Sequence, residues 1–321
     1  MVKNTINILS TSVGRRVELM QAFAQAAEKV GCDLKIHGAD IVNTAPALAF
    51  CDYRFIAPKI KDEAYIPALL DYCKANNIDA VIPTIDIDLL VLSKNKELFM
   101  QNGTRVVISE EEKIALCRDK MLTSAYFERV GLSAPTPVDD YTKYTGGFPA
   151  FIKPKDGSSS VSAYKVESFS ELESLADIVP DYIVQPCIEG TEYTVDVLCD
   201  FEGNPVYITP RIRLAVRQGE VLKTKIAQDD VIIEEMQRLL ADYKPCGAIT
   251  VQLIRQRDTE KNYYIEINPR YGGGAPLSIK AGADSPSAVL KLLMGERVEY
   301  QEKAAEDGAI YCRFDQSVRM N

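Results

Sequence analysis

A single histidine, His37, serves the whole chain. That scarcity removes Ser/His/Asp and Cys/His nucleophilic catalysis, which need an imidazole base, and argues against a zinc centre. The eight cysteines, at positions 32, 51, 73, 117, 187, 199, 246 and 312, include no CxxC pair. Scattered thiols of this kind read as small apolar residues of a reduced, cytoplasmic protein. No apolar run has the length needed to cross a bilayer. The opening MVKNTINILSTS enters a strand directly, without a signal peptide's apolar region, so no membrane partner is expected. GxGxxG is missing after the first strand, which argues against an NAD-linked enzyme, and GxxxxGKS/T is missing everywhere. Nor is there an excess of positive charge. With 37 Lys and Arg against 46 Asp and Glu, the formal charge is −9, which disfavours a nucleic-acid surface but leaves room for a local basic pocket.

What is present is ordinary globular material, 46% hydrophobic and 26% charged over 321 residues, enough for two or three structural units. Residues 5 to 108 alternate strand and helix signals: strands at 5–10, 34–39, 53–57, 80–83 and 105–108, with helices at 16–30, 63–76 and 87–100. That alternation predicts a parallel sheet with helices on both faces. The first strand ends in TSVGRR, a small-residue turn opening a helix. It reads either as a plain capped turn or as an anion site in which Gly14 and Arg15 hold a substrate. Thr84, Asp86 and Asp88 follow the fourth strand at a carboxyl edge where such sheets bind ligands, although Asp86 reads equally well as a helix cap.

The richest stretch is Tyr263 to Gly274, YYIEINPRYGGG. Strand alternation puts Tyr264, Glu266 and Asn268 on one face and Tyr263, Ile265 and Ile267 on the other. Residues 246–254, CGAITVQLI, form a second strand whose one polar residue is Gln252. Folding the intervening RQRDTEK as a hairpin about residues 258 and 259 sets Gln252 opposite Glu266. Three oxygen-bearing side chains at that spacing suit a hard cation such as Mg²⁺, with Mn²⁺ as a substitute, that also binds phosphate oxygens. Arg270 adds a forked donor for phosphoryl or carboxylate oxygens, and Gly272–Gly274 permit close backbone approach. Upstream, Lys153 sits in an apolar strand followed by KDGSSS. This reads as a lysine and a flexible donor-rich loop for phosphates rather than a solvated hairpin. Arg211, Arg213 and Arg217 form a basic group suited to a substrate carboxylate; a solvated basic strand is the competing interpretation. The helix expected over 276–293 would cover the site, and the last residues would form a loosely held polar tail.

In order, these features — a lysine at a helix start, a strand lysine, a Gly/Ser loop, a strand, break and Glu, then Gln…EINPR — resemble the ATP-grasp superfamily over residues 1 to 300. The branch most similar is the carbamoyl-phosphate-synthase large-chain type, in which Gln, Glu and Asn supply the magnesium side chains. The TSVGRR and IPTIDID segments also resemble the N-terminal domain of that branch. The resemblance implies a Rossmann-like α/β parallel-sheet pre-ATP-grasp domain (1–115) and an α+β ATP-grasp domain in two subdomains (116–188 and 189–300), with 301–321 as tail. It further implies that Lys120 and Lys153 contact nucleotide phosphates under Ser158, Ser159 and Ser160. Gln185, Pro186, Cys187 and Ile188 would form the adenine hinge, and Glu192 would bind ribose. Gln252, Glu266 and Asn268 would hold Mg²⁺, and Arg270 would touch the transferring phosphoryl. Arg211 and Arg213, with Gly14 and Arg15, would hold the acceptor. The implied activity is an ATP-dependent carboxylate–amine or –thiol ligase acting through an acyl phosphate. Its partners would be a small-molecule carboxylate and a nucleophile, and a homodimer is the base-rate expectation. The alternative is an ATP-binding partner protein of the same fold without turnover. Carbamoyl phosphate synthesis itself is not expected from one module, since that family's large chain carries two.

Overall fold

The computed structural model describes residues 5–157 and 162–320. The first half is the expected parallel sheet. Strands β1 (Thr5–Thr11), β2 (Asp33–Asp40), β3 (Tyr53–Ile56), β4 (Ala80–Pro83) and β5 (Arg105–Val106) align in the order β3-β2-β1-β4-β5, with every pair parallel. The strand order reverses between β1 and β4, so the carboxyl ends of these two strands open the crevice in which such sheets take ligands. Helix α1 (Val17–Val30) buries Leu19, Met20, Phe23, Ala26 and Ala27 on one stripe and stops at Gly31 in the left-handed conformation. Helix α2 is Tyr65–Ala75. The single helix predicted over 87–100 is two, α3 (Leu89–Lys94) and α4 (Lys96–Gln101). Asn95 separates them, because its side chain donates to Val91 O at 2.8 Å and leaves the helical conformation. His37 is buried, stacked on Tyr53 and bonded through Nδ1 to the Tyr72 hydroxyl at 2.9 Å.

Two helices lead out of this sheet: α5 (Glu111–Arg118), which periodicity missed, and α6 (Lys120–Arg129). Asp119 divides them by accepting from the amides of Met121 and Leu122. That cap puts Lys120 at the first helical position. A three-stranded antiparallel sheet follows, β7-β6-β8, from β6 (Ala150–Pro154), β7 (Tyr164–Val166) and β8 (Tyr182–Pro186). Helix α7 (Phe169–Ala176) packs on it through Leu172.

The remainder is a six-stranded sheet, built from β9 (Gly190–Cys199), β10 (Pro205–Arg217), β11 (Glu220–Ile226), β12 (Ala248–Gln256), β13 (Asn262–Asn268) and β14 (Ile310–Cys312). Its order is β13-β12-β9-β10-β11-β14. Helix α8 (Asp230–Tyr243) and α6 seal one face around Tyr193, Val195, Val251, Leu253 and Tyr264. By the two-residue period of a strand, the opposite face carries Glu192, Thr194 and Asp196, then Arg211 and Arg213, then Thr250 and Gln252. The sheet is therefore a polar plate backed by a core. The helix expected over 276–293 is two pieces, α9 (Ala275–Lys280) and α10 (Ser285–Leu293), broken at Gly282 with φ 124°. Helix α9 sets Ser278 on Asp196 at 2.6 Å, whereas α10 packs against α1. One core runs from Ile6, Met20 and Phe23 through Tyr271 and Ala275 to Leu198 and Tyr207, joining the two halves.

The expectation of a loose tail is corrected. Ile310–Cys312 pairs with β11, and Arg313 N donates to Leu222 O at 2.8 Å. Polar composition concealed this strand because it is an edge, where exposed polar side chains are the norm.

Candidate active site

The hairpin forms with the anticipated register. Gln252 lies opposite Glu266 and Thr250 opposite Asn268. One expectation fails: Tyr264 does not share the face of Glu266. A bulge lies between the Gln252–Glu266 and Leu253–Tyr264 pairs, leaving Ile265 unpaired. One extra residue reverses the alternation, so Tyr264 goes into the core beside Phe127 with Ile267, its hydroxyl on Glu235 at 2.7 Å. Beyond the bulge Glu266 and Asn268 face the plate, where Asn268 Nδ2 donates to Glu266 Oε1 at 2.9 Å.

The three expected metal ligands thus share one face, and each presents an oxygen to a neighbouring donor. Gln252 Oε1 accepts from Arg213 at 3.1 Å and Asn268 Oδ1 from Arg270 at 3.3 Å. Oxygens already turned toward cationic groups suit a hard divalent ion. Among the described residues no group of three or more His, Cys, Asp or Glu forms a metal cluster. A set with one carboxylate fits Mg²⁺ that takes most of its ligands from phosphate and water.

Two lysines complete this side of the cleft. Lys153, on β6, feels Glu266 and Lys120, and burial pushes it down to about 8 against the partial support of Glu266. Lys120 is also lowered by burial, opposed by Glu266, Asp156 and Asp119. Its Nζ donates to Gly157 O at 2.8 Å, at the edge of the Gly/Ser loop. Lys120, Asp156, Gly157, Glu266 and Asn268 line one cleft. Ser158, Ser159 and Ser160 lie outside the described residues. Gln185 and Pro186 end β8 in the small sheet and β9 begins at Gly190 in the large one, so Cys187 and Ile188 span the passage between sheets. The Cys187 amide is committed to Pro149 O at 3.1 Å. Glu192 is exposed at the start of the plate, 3.6 Å from Arg213.

The arginines separate. Arg213 joins the site through Gln252 and Glu192. Arg211 is buried behind it, its Nε on Asp196 at 2.8 Å, while Asp196 also accepts from Ser278 at 2.6 Å. Arg211 therefore holds the plate to α9 and to Gly274, where a Cβ would lie 2.5 Å from its Nη2. Arg217 is exposed at the end of β10. Arg270 donates to Asp86 at 2.6 Å, connecting β13 to the carboxyl edge of the first sheet. Thr84 and Asp88 are structural instead. Thr84 Oγ1 bonds the carbonyl of Ser12 at 2.8 Å and Asp88 takes the Thr11 hydroxyl at 2.7 Å; desolvation raises Asp88 to about 6.

The turn after β1 sends its two arginines in different directions. Ser12 and Gly14 both take positive φ, 53° and 45°, and the Gly14 amide is spent on Asp40 at 2.9 Å. This turns Arg15 to the surface and Arg16 inward, to 3.7 Å from Glu220 and against Gly273. Arg16 and Arg313, which both meet Glu220, are residues that sequence reasoning did not single out. The doubled arginine in TSVGRR was the available signal for the first; nothing local signalled the second.

Comparison with known proteins agrees with this architecture. Residues 8–107 match the family model of the PylC-like N-terminal domain, and residues 178–313 match that of ATP-grasp in the biosynthetic pathway with Ter operon. The biotin carboxylase domain of 2-oxoglutarate carboxylase from Hydrogenobacter thermophilus, solved with MgADP, ADP and bicarbonate, is 17% identical. It superposes with a TM-score of 0.77 over 96% of this chain and 74% of that one. An L-amino acid ligase from Bacillus licheniformis is 17% identical, TM-score 0.72, over 91% and 75%. Acetyl-CoA carboxylase 1 of Arabidopsis thaliana is 25% identical over 138 residues, 39% of this chain and 6% of that protein. The chain thus spans under a tenth of that curated relative's length.

Proposed function

Built as it is on the ATP-grasp fold, the chain is, we propose, an ATP- and Mg²⁺-dependent ligase that joins a small-molecule carboxylate to an amine or thiol through an acyl phosphate. The observation that carries this reading is the convergence of Gln252, Glu266 and Asn268 on one face, with Lys153 and Lys120 electrostatically coupled to Glu266. The domain division follows the sheets, 1–115, 116–188 and 189–300, with residues 301–321 assigned to the last of these.

In the proposed site, the adenine lies at the 185–188 passage between sheets and the ribose near Glu192. Lys120 and Lys153 take the phosphates. Gln252, Glu266 and Asn268 would hold Mg²⁺, or Mn²⁺ in its place, which supplies charge neutralisation along the triphosphate. A carboxylate oxygen of the substrate attacks the γ-phosphorus and the bond to ADP breaks. The nucleophile then attacks the acyl carbon, the C–O bond to phosphate breaks, and inorganic phosphate and a proton leave. The protein orients and balances charge; no side chain becomes covalently attached, consistent with one histidine that is stacked on Tyr53 far along β2. Arg270 is placed for the transferring phosphoryl, and Arg213 for an acceptor oxygen.

Phosphate release from ATP, screened over carboxylates paired with amines and thiols, tests the proposal. Release should require both a carboxylate and Mg²⁺. Tight MgADP binding with no release under any pairing would point to a nucleotide-binding partner protein.

A further inference from the structure

Among the ion pairs that cross between the halves of the molecule, two run in opposite senses beside Gly273 and Arg270. Asp86 of the first half meets Arg270 of the second at 2.6 Å, and Arg16 of the first meets Glu220 of the second at 3.7 Å. The first pair is close and hydrogen-bonded. The second is loose, and its carboxylate belongs to a side chain 54% exposed, against 20% for Arg16. Glu220 stands at the turn joining β10 to β11, where Gln218 and Gly219 take φ 49° and 78°. A second arginine, Arg313, reaches the same carboxylate at 3.4 Å from the strand that closes the sheet. A Cβ on Gly273 would lie 2.2 Å from Glu220 Oε2 and 2.6 Å from Arg16 Nη1. The carboxylate and the guanidinium are therefore seated side by side on bare backbone.

The charges around this seat do not balance. Four cations, Arg16, Arg270, Arg313 and Lys280, meet three carboxylates, Glu220, Asp86 and Glu18; Asp86 is committed to Arg270, and Glu18 is shared between Arg313 at 3.4 Å and Lys280 at 2.6 Å. Burial and the nearby Arg270 both disfavour the charged form of Arg16. One weakly held, largely solvated carboxylate is what remains to face two guanidinium groups.

We propose that Arg16 and Arg313 form an oxyanion subsite for the acceptor substrate, and that Glu220 occupies it as an internal carboxylate until a substrate carboxylate or phosphate displaces it. The proposal rests on the ligase reading only for calling the ligand the acceptor. The subsite lies at the carboxyl edge of β1, beside Gly273 and near Arg270. Displacing Glu220 acts on the turn that Arg213 holds, through Nη2 to Gly219 O at 2.8 Å. Since Arg213 also bonds Gln252, one arginine connects the acceptor subsite to the metal-ligand hairpin.

The test measures affinity for two probes, inorganic phosphate and malonate, by thermal shift at constant ionic strength with MgADP saturating. Wild-type, Glu220→Gln and Arg16→Gln proteins are compared. Removing the internal competitor should tighten the preferred probe about fivefold, and removing Arg16 should weaken it about tenfold, the scale of a charge-assisted contact. Preference for phosphate identifies a phosphorylated acceptor and preference for malonate a polycarboxylate. MgADP affinity should be equal in all three proteins. Unchanged or weaker probe binding in Glu220→Gln, or no binding of either probe by that variant, overturns the proposal. Should Arg16→Gln fail to fold, the Glu220→Gln result decides alone. Opposite shifts in the two variants, in a protein that binds MgADP but releases no phosphate, would keep the subsite and remove the ligase reading.

Discussion

The two sides of the cleft hold positive charge in different ways. On the nucleotide side, Lys153 makes no ion pair among the described residues, and burial pushes it down to about 8. On the acceptor side each arginine has a carboxylate: Arg270 has Asp86, Arg16 and Arg313 have Glu220, and Arg211 has Asp196. A lysine can be left short of countercharge because it releases its proton when burial becomes costly; a guanidinium cannot and must be matched. The lysine side waits for charge brought by a ligand. The arginine side already holds internal pairs, with Glu220 shared between two guanidinium groups.

The largest effect that sharpens this contrast lies within the arginines. Arg211→Met strands the buried Asp196 carboxylate and should cost about 3–5 kcal/mol of stability. Arg213→Met, two residues along the same face, should cost roughly 1–2 kcal/mol and act mainly on turnover. Denaturant melts of both variants check this, and equal losses would erase the distinction between a holding and a working arginine. Next, Glu266→Ala should lower Mg²⁺-dependent phosphate release by about 10²–10³-fold, the range for removing a preorganised electrostatic group, while the melt stays cooperative. Steady-state kinetics beside circular dichroism decide it.

Lys153→Met should weaken ATP binding by about tenfold, the loss of one charge-assisted contact. Its pH dependence is more telling. The free lysine titrates near pH 8, and phosphate charge favours its protonated form, so binding draws a proton onto it. Nucleotide affinity should then fall as pH rises through 8, with net proton uptake around pH 8 to 9. Calorimetry in two buffers of different ionisation enthalpy reads that uptake, and Lys153→Met should abolish it. The smallest effect is expected from Asp86→Asn. It unpairs Arg270 at a partly solvated site and should cost about 1 kcal/mol in a thermal melt; a larger loss would mean that the cross-half pair holds the domains together.

Much of this was legible in the chain. Alternating strands and helices gave the parallel sheet, and the short turn after β12 placed Gln252 opposite Glu266, because a hairpin's register follows from its loop. What was hidden depended on a residue count or a distant return. The bulge at Ile265 reversed the face of Tyr264 without any change in local polarity. Two left-handed residues, Ser12 and Gly14, decided that Arg16 rather than Arg15 turns inward to Glu220. Arg211 and Arg213 share a face and a spacing, so only what each meets across the sheet, Asp196 on the neighbouring β9 for one and Gln252 on β12 beyond it for the other, separates them. Arg313 arrives from a strand paired 85 to 89 positions from its partners in β11, from Lys225–Ile310 to Lys223–Cys312, and no local pattern encodes such a contact.

The central claim is that Glu266, with Gln252 and Asn268, presents a divalent ion to a nucleotide held by Lys120 and Lys153. Calorimetric titration of ADP with and without Mg²⁺, into wild-type and Glu266→Gln protein, tests it most directly. The account predicts that Mg²⁺ tightens ADP binding in the wild type and that most of the gain disappears in Glu266→Gln. An undiminished Mg²⁺ effect in the variant would contradict it.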